Sequence, residues 1–171
     1  TVLMGLPYRL DIDHPLLTPE RRDVFDAALE RVQSHYDALL AGQPRIALHA
    51  DLHGGNLKWL RGRLSVFDFD DAGIGVPAQD LAISAYYLRD EMALEGALIE
   101  GYQEVRSLPA FTSEQFEAVV ASRNIVLAND VVTTSNAEIR AMLPRYIPNS
   151  VTKLRRYLET GVYRHEVPGL V

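Results

Sequence analysis

The chain has 171 residues, of which 47% are hydrophobic and 23% are charged, values typical of one globular domain that can bury a core. The net charge of −6 and the pI near 5.3 argue against nucleic-acid binding, and the lack of cysteine excludes disulfides and thiolate metal sites. No apolar run reaches the roughly 18 residues of a membrane span and no signal-peptide pattern opens the chain, so we expect a cytoplasmic domain that does not bind membranes.

The predicted elements begin after an irregular lead-in over residues 1–17. Thr18-Pro19-Glu20 indicates the start of a helix, with a hydroxyl at the N-cap and proline at the first helical position. Apolar residues then recur at helical spacing until Gly42, where we expect the helix to end. Ile46–Leu48 follows as a short apolar run that predicts a buried strand or an extended segment leading into the next loop.

A small β hairpin is predicted next. Leu57–Leu60 and Leu64–Phe67 form its strands, with Arg61-Gly62-Arg63 as a tight turn between them. Asn56 enters this hairpin and Asp68 leaves it. We therefore expect both side chains at the same end of the hairpin.

The rest of the chain is predicted to be helical. Thr112 and Gln115 have capping-box spacing at the start of one helix. Pro144 and Pro148 predict a break, with a new helix capped by Asn149-Ser150. The predicted helices run over residues 77–89, 91–105, 112–134 and 151–160. The fold class is thus α+β and mainly helical.

Three polar side chains have the spacing of a phosphoryl-transfer site. His49-Ala50-Asp51 opens the pattern H-x-D-x-x-x-x-N, which ends at Asn56, and Asp68 follows twelve residues later after an apolar strand. Such a reaction needs a carboxylate beside the attacking hydroxyl and oxygen ligands for Mg²⁺. Asp51 is the candidate for the first task, and Asn56 and Asp68 are the candidates for the second.

Residues 48–88, with the segments His49–Asn56, Asp68–Ala72 and Pro77–Leu81, resemble the aminoglycoside phosphotransferase and choline kinase superfamily. The resemblance implies the C-terminal lobe of a protein-kinase-like fold, whose β hairpin carries the metal site. It also implies ATP as donor, Mg²⁺ as cofactor, and a small-molecule hydroxyl as acceptor, as in aminoglycoside, choline or homoserine kinases.

The same resemblance assigns a role to each matching position. Asp51 becomes the catalytic base, Asn56 and Asp68 the metal ligands, His49 a residue that shapes the loop, and Asp80 a brace for that loop at the start of a helix. His53 and Asp70 are further candidates for support around the ligands. Asp70 has two other interpretations, an additional metal ligand or a solvated loop acid.

The sequence departs from the family at two positions. Gly75-Val76-Pro77 stands where many members have Gly-Asp-Pro, so one acidic side chain is missing. Asp70 stands where protein kinases have the glycine of D-F-G, which argues against a mobile switch of that type.

Features of a nucleotide-clamping lobe are missing from the sequence. There is no G-x-G-x-x-G pattern, and no lysine precedes Lys58. We therefore expect residues 1–171 to form one domain, the catalytic-loop and substrate lobe of a phosphotransferase, without the N-terminal lobe. A fragment of this kind is expected to be inactive alone.

Three alternatives remain open. A Ser/Thr protein kinase of the bacterial stress-response type would use the same residues, and a nucleotide-sensing module would keep the binding site without the chemistry. His49, Asp51 and His53 also form H-x-D-x-H, a pattern found in metal-dependent hydrolases. The later motifs that such hydrolases need are missing, which disfavours this third interpretation.

Overall fold

The computed structural model describes residues 2–3 and 6–171, and within them the chain forms five α-helices and six short strands. The helices supply the core, and the strands form three antiparallel pairs. In chain order the elements are β1 (Val2–Leu3), β2 (Leu6–Pro7), α1 (Pro19–Ala41), β3 (Ile46–Leu48), β4 (Leu57–Leu60), β5 (Arg63–Val66), β6 (Gly73–Gly75), α2 (Pro77–Leu88), α3 (Met92–Val105), α4 (Ser113–Val131) and α5 (Ala137–Thr160). This confirms the predicted mainly helical α+β class.

The core lies where α4 packs against α1, α2 and α5. α1 follows the predicted pattern, since Phe25, Val32 and Leu39 are almost completely buried at helical spacing. Thr18 occupies the N-cap position of this helix, although its side chain makes no capping hydrogen bond. α3 has no buried residue and packs on the outside of α2. No helix in the described part of the chain is both long and apolar enough to span a bilayer.

The predicted break at Pro144 and Pro148 is wrong, because α5 continues through both prolines. Each proline removes one backbone donor, but the helix is held by a buried apolar face that includes Ile147 and Leu154. Its true N-cap is Asn136, whose Oδ1 accepts the N–H of Glu138 at 2.9 Å. The predicted cap at Asn149-Ser150 is therefore also wrong, since both residues lie inside α5.

The start of α4 agrees with the prediction, and its end differs. The Thr112 and Gln115 capping box is present, with both reciprocal hydrogen bonds formed. The helix ends at Val131, earlier than the predicted end at Thr134.

The predicted lead-in over residues 1–17 contains the strand pair β1–β2, while residues 1, 4 and 5 lie outside the described residues.

The predicted hairpin is present, as β4 and β5 pair from Leu57↔Val66 to Leu60↔Arg63. Arg61 and Gly62 form its two-residue turn with positive φ values of 51° and 75°. The strand β6 was not predicted, because three residues with two glycines carry no alternation. It pairs with β3, which brings the chain after Asp68 back beside the strand that leads into Asp51.

Candidate active site

The loop between β3 and β4 is held by a carboxylate from α2. Asp80 lies in the first turn of that helix and accepts the backbone N–H of His49 through Oδ2 at 2.9 Å. Its Oδ1 accepts the N–H of Ala50 at 2.7 Å. Ala50 has a φ of 63°, a conformation that costs energy for a residue with a Cβ. The two hydrogen bonds therefore stabilise a strained backbone directly before Asp51.

Both ring nitrogens of His49 contact backbone groups. Nδ1 accepts the N–H of Asp51 at 3.3 Å, so Nε2 carries the proton that it donates to the carbonyl of Phe67 at 3.0 Å. The ring is buried, and its centroid lies 4.7 Å from that of Phe69. His49 thus ties the loop that carries Asp51 to the segment that leads into Asp68, and neither nitrogen remains for a metal.

Four side chains surround the carboxylate of Asp51. The hydroxyl of Tyr87 donates to Oδ1 at 3.0 Å, and the Arg123 guanidinium bonds the same oxygen. Nδ2 of Asn56 donates to Oδ2 at 3.3 Å, and Nε2 of His53 lies 3.5 Å from Oδ2. The Asp51 side chain remains 19% exposed, so a small molecule can still reach it.

Asn56 and Asp68 lie at the same end of the hairpin. The amide nitrogen of Asn56 donates to the carbonyl oxygen of Asp51 at 2.9 Å, which leaves the amide oxygen as the atom available to a cation. The N–H of Phe67 donates to the carbonyl of Asn56 at 3.2 Å, so Asp68 follows directly after this pairing. Asp68 is exposed and has a φ of 63°. An amide oxygen and a carboxylate fit Mg²⁺, which keeps further positions for water and phosphate.

The remaining acidic candidates stay outside this cluster. Asp70 is exposed, and no group of three or more His, Cys, Asp or Glu side chains among the described residues could hold a metal. The H-x-D-x-H interpretation therefore gains no support.

Val76, at the position of the missing family acid, is fully buried as the N-cap residue of α2.

Tyr87 and Arg123 are the site residues that sequence reasoning missed. Neither residue is among the site candidates that the motifs predict. A signal for Arg123 did exist, because it stands among small and apolar residues in the middle of a predicted helix. Burial raises the pKa of Tyr87 to about 12, so at neutral pH its hydroxyl is protonated and donates to Asp51.

A cavity of about 330 Å³ adjoins the Arg123 side of the loop. Arg123 and Asp71 face it, with a guanidinium-to-carboxylate distance of 3.9 Å between Nη1 and Oδ2. Asp130 also faces it, and burial raises the pKa of this carboxyl above its usual value. The full lining comprises Leu6, Tyr36, Leu48, Ala50, Asp71, Gly73, Ile74, Gln79, Ile83, Ser122, Arg123, Val126 and Asp130.

Three other acids, in α3, in α4 and directly after α2, have structural partners. Glu95 and Glu117 both contact the buried guanidinium of Arg89, and Glu117 bonds it at 2.6 Å. Asp90 accepts the backbone N–H groups of His165 and Glu166 at 3.3 and 3.1 Å. These acids therefore hold the helices and the C-terminal segment together rather than lining the cleft beside Asp51.

A family model described as the phosphotransferase enzyme family (APH) matches residues 2–115, about two thirds of the chain. The chain belongs to this family. The resemblance predicted from the motifs is thereby confirmed. The match includes Asp51, Asn56, Asp68 and Asp80 and ends before Arg123.

Two curated relatives of this phosphotransferase-family chain match short stretches. An uncharacterized protein of Deinococcus radiodurans is 42% identical over 72 residues, which cover 40% of the chain and 21% of that protein. The amicoumacin kinase of Bacillus subtilis is 46% identical over 39 residues, which cover 23% of the chain and 12% of that kinase.

Two solved structures share the fold of this phosphotransferase-family chain. A microcompartment-associated aminopropanol kinase superposes with a TM-score of 0.67 at 21% identity, over 88% of the chain and 49% of that protein. The amicoumacin kinase hAmiN, in complex with AMP-PNP, Ca²⁺ and Ami, superposes with a TM-score of 0.57 at 19% identity, over 88% of the chain and 52% of that protein. The predicted kinase-like fold is confirmed. The chain spans about half the length of each of these two structures and a smaller share of the curated relatives.

Proposed function

We propose that the protein containing this chain transfers the γ-phosphoryl group of ATP to a hydroxyl of a small molecule. The observation that carries the proposal is the placement of Asp51, Asn56 and Asp68 on one loop and the adjoining end of the hairpin. A carboxylate that remains accessible lies beside an oriented amide and at the end of the hairpin that presents a second carboxylate. Membership of the phosphotransferase family supports the same reaction.

In this proposal Asp51 binds the acceptor hydroxyl, orients its oxygen, and takes its proton as the new P–O bond forms and the bond to the ADP oxygen breaks. Asn56 and Asp68 would hold Mg²⁺, which neutralises phosphate charge when bound. Asp80 and His49 keep the loop in the conformation that presents Asp51.

The acceptor is proposed to be a small molecule because the named kinases of this fold act on compounds such as aminopropanol and amicoumacin.

We further propose that a separate N-terminal lobe completes the nucleotide site. The β4–β5 hairpin exposes large apolar side chains, with Trp59 69%, Leu60 58% and Leu64 54% exposed. Ile74 on β6 is 73% exposed. Such a surface is typical of a face that another part of a protein covers. The isolated chain is accordingly expected to lack activity.

The test uses the intact reading frame that includes this chain. Transfer from γ-labelled ATP with Mg²⁺ is followed to a panel of amino alcohols, sugars, aminoglycosides and one generic protein substrate. Asp51→Asn should abolish transfer, while Asp23→Asn, an exposed aspartate on α1, should leave it unchanged. Equal transfer by Asp51→Asn and the unmodified protein would contradict the proposal. Transfer to the protein substrate alone would favour a protein kinase. ATP binding without transfer to any acceptor would favour a nucleotide-sensing module.

Metal binding is tested separately. Asn56→Ala and Asp68→Asn should each weaken Mg²⁺-dependent binding of a non-hydrolysable ATP analogue, measured by calorimetry. Asp70→Asn is the neighbouring control, and an equal loss in that variant would make Asp70 a ligand as well.

A further inference from the structure

Arg123 lies beyond the end of the family match and reaches the candidate base from α4. It lies in the middle of α4, and its guanidinium bonds Oδ1 of Asp51. Nε and Nη2 of the same guanidinium donate to the hydroxyl oxygen of Tyr87 at 3.1 and 2.9 Å. Tyr87 in turn donates its hydroxyl hydrogen to Oδ1 of Asp51. The three side chains therefore form a closed hydrogen-bonded triangle.

The two carboxylate oxygens of Asp51 differ in the hydrogen bonds that they accept. Oδ1 receives two donors, one of them charged, and charge-assisted hydrogen bonds are the stronger kind. Oδ2 has only the longer contacts, 3.3 Å to Nδ2 of Asn56 and 3.5 Å to Nε2 of His53. An incoming hydroxyl can compete for Oδ2 much more easily than for Oδ1.

We propose that Arg123 is a positioning residue that, with Tyr87, immobilises Oδ1 of Asp51 so that Oδ2 receives the proton of the acceptor hydroxyl. The inference rests on the proposed function, since it assigns an oxygen within the same reaction. Arg123 does not touch the reacting atoms in this scheme and acts through Asp51.

The surroundings of Arg123 hold its side chain in the position from which it bonds Oδ1 of Asp51. The residue is 8% exposed, and its helix neighbours Ser122 and Asn124 are each 1% exposed, so the α4 backbone is held by the core. Three carboxylates face the guanidinium, those of Asp51, Asp71 and Asp130. This acidic setting keeps the arginine in place, and the planar guanidinium can bond Asp51 and Tyr87 at once, which an ammonium cannot do in the same geometry.

The experiment compares Arg123→Gln, Arg123→Lys and Tyr87→Phe in the intact protein, using the acceptor found in the labelled-ATP assay. Arg156→Gln is the matched control, because that arginine is 53% exposed and pairs with Glu159 on the same helix. Rates, the KM for ATP with Mg²⁺, and the thermal midpoint are measured for each variant.

Loss of the anchor should change kcat while the KM for ATP changes little, because Asn56 and Asp68 are untouched. Arg123→Gln should lower kcat about 100-fold, as expected when a reacting group is misplaced by about 1 Å. Tyr87→Phe should lower it about tenfold, as expected for one hydrogen bond to a charged group. Arg123→Lys should recover part of the rate, since it restores the charge.

Several outcomes overturn the inference. An unchanged kcat in Arg123→Gln, with Asp51→Asn inactive, would refute the anchor and leave the proposed function standing. A lysine variant as slow as the glutamine variant, with a thermal midpoint lowered to match, would show a purely structural role. If Arg123→Gln does not fold, Tyr87→Phe decides alone. Full activity in Asp51→Asn would refute the proposed function, and this inference with it.

Discussion

The carboxylate of Asp80 bonds the backbone of Ala50, thirty residues earlier in the chain, across a distance of 2.7 Å from Oδ1 to N. Ala50 is the residue whose left-handed φ turns the chain toward Asp51. A side chain in the first turn of a core helix thus sets the conformation of a surface loop. Packing in the core fixes the position of the helix, and the Asp80 hydrogen bonds therefore fix the position of the loop.

Removing this carboxylate should destabilise the protein. Asp80→Ala leaves the N–H groups of His49 and Ala50 without their acceptor, at a cost of about 2–4 kcal/mol of unfolding free energy. Urea denaturation of the variant measures the loss. Asp23→Ala, at an exposed position of α1, should change stability by less than about 0.5 kcal/mol. Similar losses in both variants would show that the Asp80 bonds contribute little.

The two adjacent glycines of the loop should respond differently to alanine. A Cβ on Gly55 would lie 2.5 Å from Cε1 of His53, so the ring must shift, and we expect it to lose its packing on Tyr87, which has a centroid distance of 4.4 Å. Losing that contact should cost about 1 kcal/mol. A Cβ on Gly54 meets no atom within 4 Å, so Gly54→Ala is the control. NMR signals of the His53 ring should shift in the first variant alone; a shift of equal size in both would refute the clash.

Pro144 should be a site where substitution stabilises. It is exposed inside α5, where a proline costs about 3 kcal/mol relative to alanine, offset by about 1 kcal/mol of chain entropy. Pro144→Ala should therefore raise the unfolding free energy by about 2 kcal/mol in urea denaturation. Pro19→Ala, at the favourable first position of α1, should give no gain. A decrease in Pro144→Ala would mean that the proline shapes a bend on which packing depends.

His165 should make stability depend on pH. Its Nε2 contacts the carbonyl oxygen of Tyr86 at 2.6 Å, and burial lowers the pKa of the ring below its ordinary value of 6.5. The unfolded chain therefore takes up a proton first as the pH falls through 6.5, and the unfolding free energy decreases from there toward the lower folded pKa.

Replacing His165 by glutamine should remove the contribution of this residue to the pH dependence of the unfolding free energy. The stability difference between the unmodified protein and His165→Gln should shrink as the pH is lowered from 7.5 to 5.5, because the other histidines are common to both. Chemical denaturation at several pH values measures it. A difference that stays constant with pH would contradict the predicted direction of the shift.

The sequence predicted the elements that local rules control. The capping box at Thr112, the proline at the start of α1 and the Arg61-Gly62 turn are each set by neighbouring residues, and all three are present. The placement of Asn56 and Asp68 at one end of the hairpin follows from the same alternation. These features need no knowledge of distant contacts.

Features that depend on tertiary packing escaped prediction. α5 continues through Pro144 because its opposite face is buried in the core, which a local rule for proline does not include. β6 becomes a strand only by pairing with β3, and Arg123 meets Asp51 only because α4 packs against α2. The role of Arg123 thus arises from a contact between residues 72 positions apart.

Trp59 is the only tryptophan of the chain and is 69% exposed on β4, the strand that begins directly after Asn56. The chain therefore carries one indole, placed on the hairpin whose other end holds both candidate metal ligands. Emission from an indole in water is red-shifted relative to a buried one. In this chain, the emission of that indole can thus report whether a partner segment without tryptophan covers the hairpin, without any label or substitution.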